Sequence, residues 1–92
     1  MNAFRHKKSI RVSYRQQGHI YFTMLNLHLL PEAKKEKLRD VCKKAAGEYS
    51  EALWVYLTTE KGYVAVSQEF HLSQDTLFRL TKRFYETFPE RL

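Results

Sequence analysis

The residues with the clearest capacity for specific recognition chemistry lie close together near the carboxyl end of the chain. A glutamine amide can pair with adenine and an arginine guanidinium with guanine, while a carboxylate can accept from cytosine and an aromatic ring can contact the thymine methyl group. The candidates for reading bases in this way are Gln74, Asp75, Phe78 and Arg79. Side chains better suited to phosphate oxygens stand among them, namely Ser73, Thr76, Lys82 and Arg83. The spacing predicts that one helix presents both sets to a DNA duplex.

Ser73 marks the predicted start of this helix. Its hydroxyl can accept a hydrogen bond from the backbone amide of Asp75 or Thr76, which is how a serine caps a helix. Proline at position 89 ends the helix, because the residue before a proline avoids helical geometry. Asp75 is unfavourable beside phosphates, and it could instead orient Arg79, which follows four residues later. We therefore expect a helix over residues 73–88.

A second, shorter helix and a tight turn must position that helix. Residues 64–84 contain apolar side chains at the positions that would face inwards: Val66, Phe70, Leu72, Leu77 and Leu80. Ser67 is small where the two helices would cross, and His71 stands in the turn. The pattern predicts a helix from residue 64 to 70, a turn, and the longer helix.

This arrangement resembles a helix-turn-helix, in which the second helix lies in the major groove and the first braces it. The run from residue 73 to 79 is similar to the start of recognition helices in small bacterial regulators and recombinases. A basic amino-terminal part joined to such a motif, in a chain of 92 residues, resembles the small regulators of bacterial phages and mobile elements. The resemblance implies a transcriptional regulator that binds double-stranded DNA as a homodimer. Two positions depart from the common motif: His71 stands where glycine is usual, and Ser67 where alanine is commoner.

The formal net charge of +6 also favours a polyanionic partner. The excess lies outside residues 64–92, which carry four basic and four acidic side chains. Residues 31–47 carry six basic and three acidic side chains, and residues 1–30 carry five basic side chains and no acid. Those five form a predicted auxiliary arm for phosphates: Arg5, Lys7, Lys8, Arg11 and Arg15. A frayed terminus is the commoner explanation for such an end, so residues 1–17 are expected to be loose.

The remaining sequence predicts an all-α fold, a small helical bundle with the helix-turn-helix at residues 64–88. Residues 18–92 would form a single helical domain, with further helices at residues 18–30, 31–46 and 48–58. Residues 10–24 also fit a strand, because their β-branched and aromatic side chains favour one. Residues 18–30 are apolar on more than one side of a helix, which makes them the candidate interface of a homodimer.

Other classes of function find little support. The chain has no glycine-rich phosphate loop, no acid, base or nucleophile set, and four histidines that are not spaced as metal ligands. We therefore expect no enzyme, no metal or other cofactor, and no small-molecule ligand. The apolar run at residues 20–30 is too short to span a membrane, and the single cysteine fits a cytoplasmic protein. A helical protein-interaction module, for instance with the transcription machinery, stays open as an alternative, and RNA binding as a weaker one.

Overall fold

The structure, a computed structural model, describes residues 10–90 and residue 92. Its α-helices are α1 (Tyr14–Leu25), α2 (Glu32–Ala46), α3 (Ser50–Thr58), α4 (Tyr63–Phe70) and α5 (Gln74–Thr87). Short 3-10 turns at Leu27–Leu29 and Gly47–Tyr49 follow α1 and α2. No strand occurs in the part of the chain that the structure describes. The predicted all-α bundle is therefore confirmed.

Helix α1 begins four residues earlier than predicted and ends earlier too. Ser13 has extended backbone geometry, and its Oγ accepts a hydrogen bond of 3.1 Å from the Gln16 amide, which makes it the N-cap. The predicted boundary at Gly18 is wrong because the local cap decides the start and the helix tolerates the glycine. The strand alternative for residues 10–24 is wrong from Tyr14 onward.

The segment before α1 is packed against the bundle. Ile10 is only 3% exposed. The buried Gln17 side chain donates from Nε2 to the Val12 carbonyl at 2.9 Å, and the Arg11 amide donates to Glu86 Oε2 at 3.0 Å. The expectation of a loose arm is therefore wrong for residues 10–17. Residues 1–9, with Arg5, Lys7 and Lys8, lie outside the described residues.

Helices α2 and α3 follow the predicted boundaries closely. The Pro31 carbonyl accepts from the amides of Lys34 and Lys35, at 3.0 and 3.1 Å, and so starts α2. Gly47 ends it with a φ of 55°, a conformation that glycine adopts without steric cost. The following 3-10 turn delays α3 to Ser50, two residues later than predicted. The turn also lets the Cys42 thiol donate to the Ser50 carbonyl at 3.4 Å inside the core.

Three residues connect α4 to α5. His71 lies in the left-handed region, at φ 57° and ψ 44°, and ends α4. The Ser67 carbonyl accepts from the amides of both His71 and Leu72, the second at 3.0 Å, so the left-handed His71 and two hydrogen bonds to one carbonyl form the C-cap of α4. Ser73 then caps α5 as predicted, because its Oγ accepts from the Thr76 amide at 3.0 Å. Both ends of the turn are thus held by local hydrogen bonds.

The core runs between all five helices. Helices α3, α4 and α5 contact one another, α1 packs on α3, and α2 makes its most extensive contact with α5. Each of the five helices contributes at least one fully buried side chain: Ile20, Met24, Leu38, Leu53, Val66, Leu77 and Phe84. Helix α5 is therefore supported along one side by three neighbouring helices, and its opposite side is left to solvent.

Candidate nucleic-acid interface

Helix α5 is strongly two-sided. Its buried residues recur at the three- and four-residue spacing of one helical stripe: Leu77, Leu80, Thr81, Phe84 and Tyr85. The opposite side, which we call the outer face of α5, comprises Asp75, Arg79, Lys82, Arg83 and Glu86. All of these are exposed except Lys82, which is half-buried. The helix has 14 residues and is about 21 Å long, so the outer face presents three cations and two carboxylates over that length.

The four predicted base-reading residues do not all belong to this face. The structure brings Asp75 and Arg79 together on it and places the exposed Gln74 at the first position of the helix. Phe78 is half-buried and packs against the core, with its ring centroid 6.3 Å from that of Tyr63. Tyr63 in turn stacks on Tyr56, with centroids 4.4 Å apart and planes 20° apart. Phe78 therefore lies on the α4 side of the helix, beside the buried stripe.

Two of the four predicted phosphate-binding residues are engaged with each other. The Ser73 hydroxyl donates to Thr76 Oγ1 at 2.8 Å, and its oxygen also accepts from the Thr76 amide at 3.0 Å. These hydroxyls therefore build the N-cap of α5. Lys82 and Arg83 lie on the outer face, and Arg83 is exposed. Of the four predicted phosphate-binding residues, the two cations are therefore the ones that a ligand can reach.

A groove beside the outer face brings α2 into the candidate site. We call it the basic groove; its volume is about 480 Å³, and its chemically active lining is Lys44, Glu48, Tyr49, Thr76, Arg79 and Arg83. Two small side chains at the end of α2, Ala45 and Ala46, also line it. The sequence alone left open whether the lysine-rich helix lies on the same side as α5. The shared groove shows that its carboxyl end does.

The predicted auxiliary arm divides between different surfaces. The backbone of Arg11 is tied to Glu86 on the outer face of α5 by the hydrogen bond described above. Arg15 instead lies on α1 and lines another groove together with His19 and Phe22. Among the described members of the arm, therefore, only Arg11 stands next to the outer face.

That second groove, which we call the apolar groove, lies within the predicted dimer segment. It has a volume of about 580 Å³ and is lined by α1 and the 3-10 turn that follows it. Phe22 and Leu29, both in its lining, are 51% and 72% exposed. Ile20 and Met24 in the same segment are fully buried. One side of α1 thus belongs to the core, and the other presents exposed apolar side chains.

Sequence reasoning missed two contributors to the site, Tyr49 and Glu86, and it named Lys44 only as part of a basic helix surface that could contact a DNA backbone. Lys44 and Tyr49 join Arg79 in the basic groove although they are at least 30 positions away in the chain, and no local spacing could have indicated this. Glu86 holds the amino-terminal segment through Arg11, which is 75 positions away. The signal for Lys44 was its place on the lysine-rich surface of its helix, and the sequence did not indicate which side of α5 that surface would meet.

The buried ionisable groups that lie outside the basic groove and the outer face contribute to packing. Burial raises the pKa of the Cys42 thiol to about 12, which suppresses the thiolate that nucleophilic chemistry needs. Burial also raises the pKa of Tyr56 and of Tyr85, and the neighbouring Tyr63 adds to both shifts. Among residues 10–90, no three His, Cys, Asp or Glu side chains are grouped as a metal site. No described helix combines the length and the apolar character that crossing a membrane requires.

Comparisons with known proteins place the chain in no family. No protein-family model matches it, and neither a curated protein nor a solved structure matches it.

Proposed function

We propose that this protein binds DNA sequence-specifically, as a transcriptional regulator whose helix α5 enters the major groove. The observation that carries the proposal is the two-sidedness of α5. Its apolar side is buried against α2, α3 and α4, while Asp75, Arg79 and Arg83 stand exposed on the outer face. A helix braced in this way fits the width of the major groove and can present its outer side chains to base edges.

In this proposal α4 and α5 form a helix-turn-helix. The motif needs a short bracing helix, a turn of three or four residues, and a second helix held at a defined angle. Helix α4 has eight residues, and the turn at residues 71–73 is held by the Ser67 carbonyl on one side and the Ser73 cap on the other. The mutual packing of α3, α4 and α5 supports the bracing role.

Different residues of α5 have different proposed roles in recognition. Arg79 is the proposed reader of guanine, because its guanidinium can donate two parallel hydrogen bonds to a guanine edge. Gln74 at the start of α5 is the proposed reader of adenine, and Asp75 either accepts from cytosine or orients Arg79. Lys82 and Arg83 contact phosphates. Phe78 supports the helix from the Tyr63 side, because its ring is half-buried there.

The test is selection of bound duplexes from a random pool, followed by fluorescence anisotropy titration of the selected site. Arg79→Ala should weaken binding by about 1–3 kcal/mol and relax the preference at one base pair. The double variant Arg79→Ala/Lys82→Ala removes two charges from the outer face. Its matched control is Lys34→Ala/Lys43→Ala, which removes two exposed charges from α2 that line neither the basic groove nor the outer face.

Two outcomes would contradict the proposal. Absence of any affinity for duplex DNA at low salt would refute DNA binding itself. Equal affinities of the outer-face double variant and the control double variant would refute the assignment of the reading face. Circular dichroism of each variant shows whether a loss of binding comes with a loss of helix.

The proposal includes a homodimer, because one recognition helix reads only a few base pairs and two half-sites raise specificity. The apolar groove on α1 is the proposed contact between copies, since Phe22 and Leu29 are large apolar side chains that it leaves exposed. Sedimentation equilibrium at micromolar concentration should give a dimer mass, and Phe22→Ser/Leu29→Ser should shift it towards the monomer. A monomer mass for the wild-type chain would contradict this part.

The same exposed side chains favour one second candidate function, a helical protein-interaction module that does not bind DNA. Its test is capture of partners from a nuclease-treated extract with three baits: the wild-type chain, Phe22→Ser/Leu29→Ser, and Arg79→Ala/Lys82→Ala. A partner retained by the third bait and lost by the second, together with no duplex binding by the wild-type chain, would establish the module. If a partner is captured from an untreated extract but not from the nuclease-treated one, nucleic acid connects it to the chain, and that result would contradict the module.

A further inference from the structure

We infer that the basic groove seats the sugar-phosphate backbone of one strand of the DNA duplex, with Lys44 and Arg83 as its phosphate contacts. The inference rests on the proposed function and adds to it a second surface, supplied by α2. It assigns a role to Lys44, a residue of the lysine-rich helix outside the motif.

Uncompensated positive charge is the first observation. Lys44, Arg79 and Arg83 line one groove from two helices, and a single carboxylate, Glu48, lies among them. None of the three cations forms an ion pair with a described residue, whereas Lys35 and Lys61 elsewhere are paired with Glu32 and Glu69 at 3.2 and 2.7 Å. Like charges that converge without partners repel one another, and an anion between them removes that repulsion.

The shape of the groove is the second observation. Ala45, Ala46 and Gly47 line it with little or no side-chain bulk, and a Cβ added at Gly47 would meet no atom within 4 Å, so the groove is open at the end of α2. Tyr49 also lines it and is 42% exposed, so that its hydroxyl can donate to a phosphate oxygen. The carboxyl end of α2 points into the same region, and its dipole disfavours anions. Attraction must therefore come from the side chains.

Position selects the DNA backbone as the occupant. A helix that lies in a major groove about 12 Å wide has a phosphate backbone on either side of it. The basic groove flanks α5 on its α2 side and shares Arg79 and Arg83 with the outer face. When Arg79 reads a base, Lys44 and Arg83 therefore stand where the adjoining strand passes. Base choice then comes from the outer face, and sequence-independent affinity comes from the groove.

Adjacent residues in the chain supply matched controls. Lys43 and Lys44 are both exposed in the last turn of α2, but Lys43 lines a different pocket, beside Trp54. Glu48 lies in the basic groove, whereas the exposed Glu51 lines the pocket of Lys43. The two members of each pair have the same formal charge and are both exposed, but they line different pockets.

The experiment measures the affinity of the full chain for its selected duplex and for a scrambled duplex across a range of salt concentrations. Lys44→Ala should weaken both complexes by the same factor and lower the slope of log K against log salt by about 1, the value for one lost phosphate contact. Arg83→Gln should act in the same way, and Lys43→Ala should leave the slope unchanged. Glu48→Gln should tighten both complexes, and Glu51→Gln should leave them unchanged.

The outcomes separate the groove from the proposed function. Equal slopes for Lys44→Ala and Lys43→Ala, in a chain that still selects and binds a duplex, would overturn the groove inference alone. No duplex binding by the wild-type chain would overturn the proposed function and this inference with it. Tighter binding of a double-stranded RNA of the same sequence would also overturn the inference, because an A-form duplex presents a different backbone path.

Discussion

The turn between α4 and α5 offers a prediction with a definite sign. Among the described residues, His71 is the only non-glycine residue with a positive φ, at 57°. A side chain in this left-handed region crowds its own backbone and costs about 1–2 kcal/mol, and glycine has no such cost. Replacing His71 by glycine should therefore stabilise the fold, although glycine also makes the unfolded chain more flexible by about 0.4–1 kcal/mol.

The central values of the two terms leave an expected net gain of about 0.5–1 kcal/mol in the free energy of unfolding. His71 is exposed, so no buried contact is lost. For a domain of this size the gain corresponds to a rise in Tm of about 2–8 °C. Urea unfolding followed by circular dichroism measures it as a higher midpoint with an unchanged m-value, because the surface exposed on unfolding stays the same.

His28→Gly is the control, because it removes the same side chain from another exposed position, whose φ is not positive. It should lower the free energy of unfolding by about 0.5–1 kcal/mol, the cost of glycine in a helical turn. The reasoning is refuted if His71→Gly destabilises the chain as much as His28→Gly does. Duplex affinity should be unchanged in His71→Gly, because His71 lies outside the outer face of α5.

Three further predictions concern buried polar groups. The Ser67 hydroxyl is buried without a hydrogen-bond partner among the described residues, so Ser67→Ala should raise the free energy of unfolding by about 1 kcal/mol in urea titrations, and a lower value would contradict this. Gln17→Leu removes the donor to the Val12 carbonyl and should cost about 1–3 kcal/mol, with Gln16→Leu as the control. Because it also loosens this segment, it should speed exchange of the Val12 amide, which donates to the Ile10 carbonyl. The pKa of Cys42 rises from 9.0 to about 12 on folding, so the folded state holds its proton more tightly and stability should fall as pH rises from 9 towards 12. Cys42→Ala should flatten that fall in alkaline unfolding curves; an unchanged slope would speak against the burial of the thiol.

The positive and negative charges on the outer face of α5 nearly balance, which limits the affinity that this face can provide. The outer face of α5 carries Arg79, Lys82 and Arg83 against Asp75 and Glu86, so its own surplus is a single positive charge. Non-specific affinity for DNA grows with the number of phosphates neutralised, which a face of this composition supplies only weakly. The basic groove places Lys44 beside the same helix and so increases the positive charge available there. Specificity and affinity would then come from neighbouring but different residues.

Helix α5 shows how far local sequence signals reach. Its start, its end and its buried stripe were all predictable, because the Ser73 cap, Pro89 and the apolar spacing act within a few residues of the chain. The same holds for α2, which begins after a proline and ends at a glycine. The orientation of Phe78 was not predictable in this way. Its position lies at the edge of the buried stripe, and packing against Tyr63 decides which way the ring turns.

The amino-terminal segment shows what local sequence signals could not predict. Alternating apolar and basic residues before Ser13 fitted a loose arm, and only the folded bundle offers Ile10 a core to enter. Once Ile10 is buried, the Gln17 side chain and Glu86 can hold the backbone of Val12 and Arg11. These bonds join positions that are distant in the chain, so no window of sequence contains them.

The sequence by itself therefore determined the all-α class, most helix boundaries and the three cations of the outer face of α5. These depend on caps, periodicity and side-chain chemistry, which are local properties. Tertiary structure alone decided that the end of α2 meets α5 and that Lys44, Arg79 and Arg83 share one groove. The physical reason is that burial of the apolar sides of the helices sets their packing, and the packing then brings together charges that the chain keeps far apart.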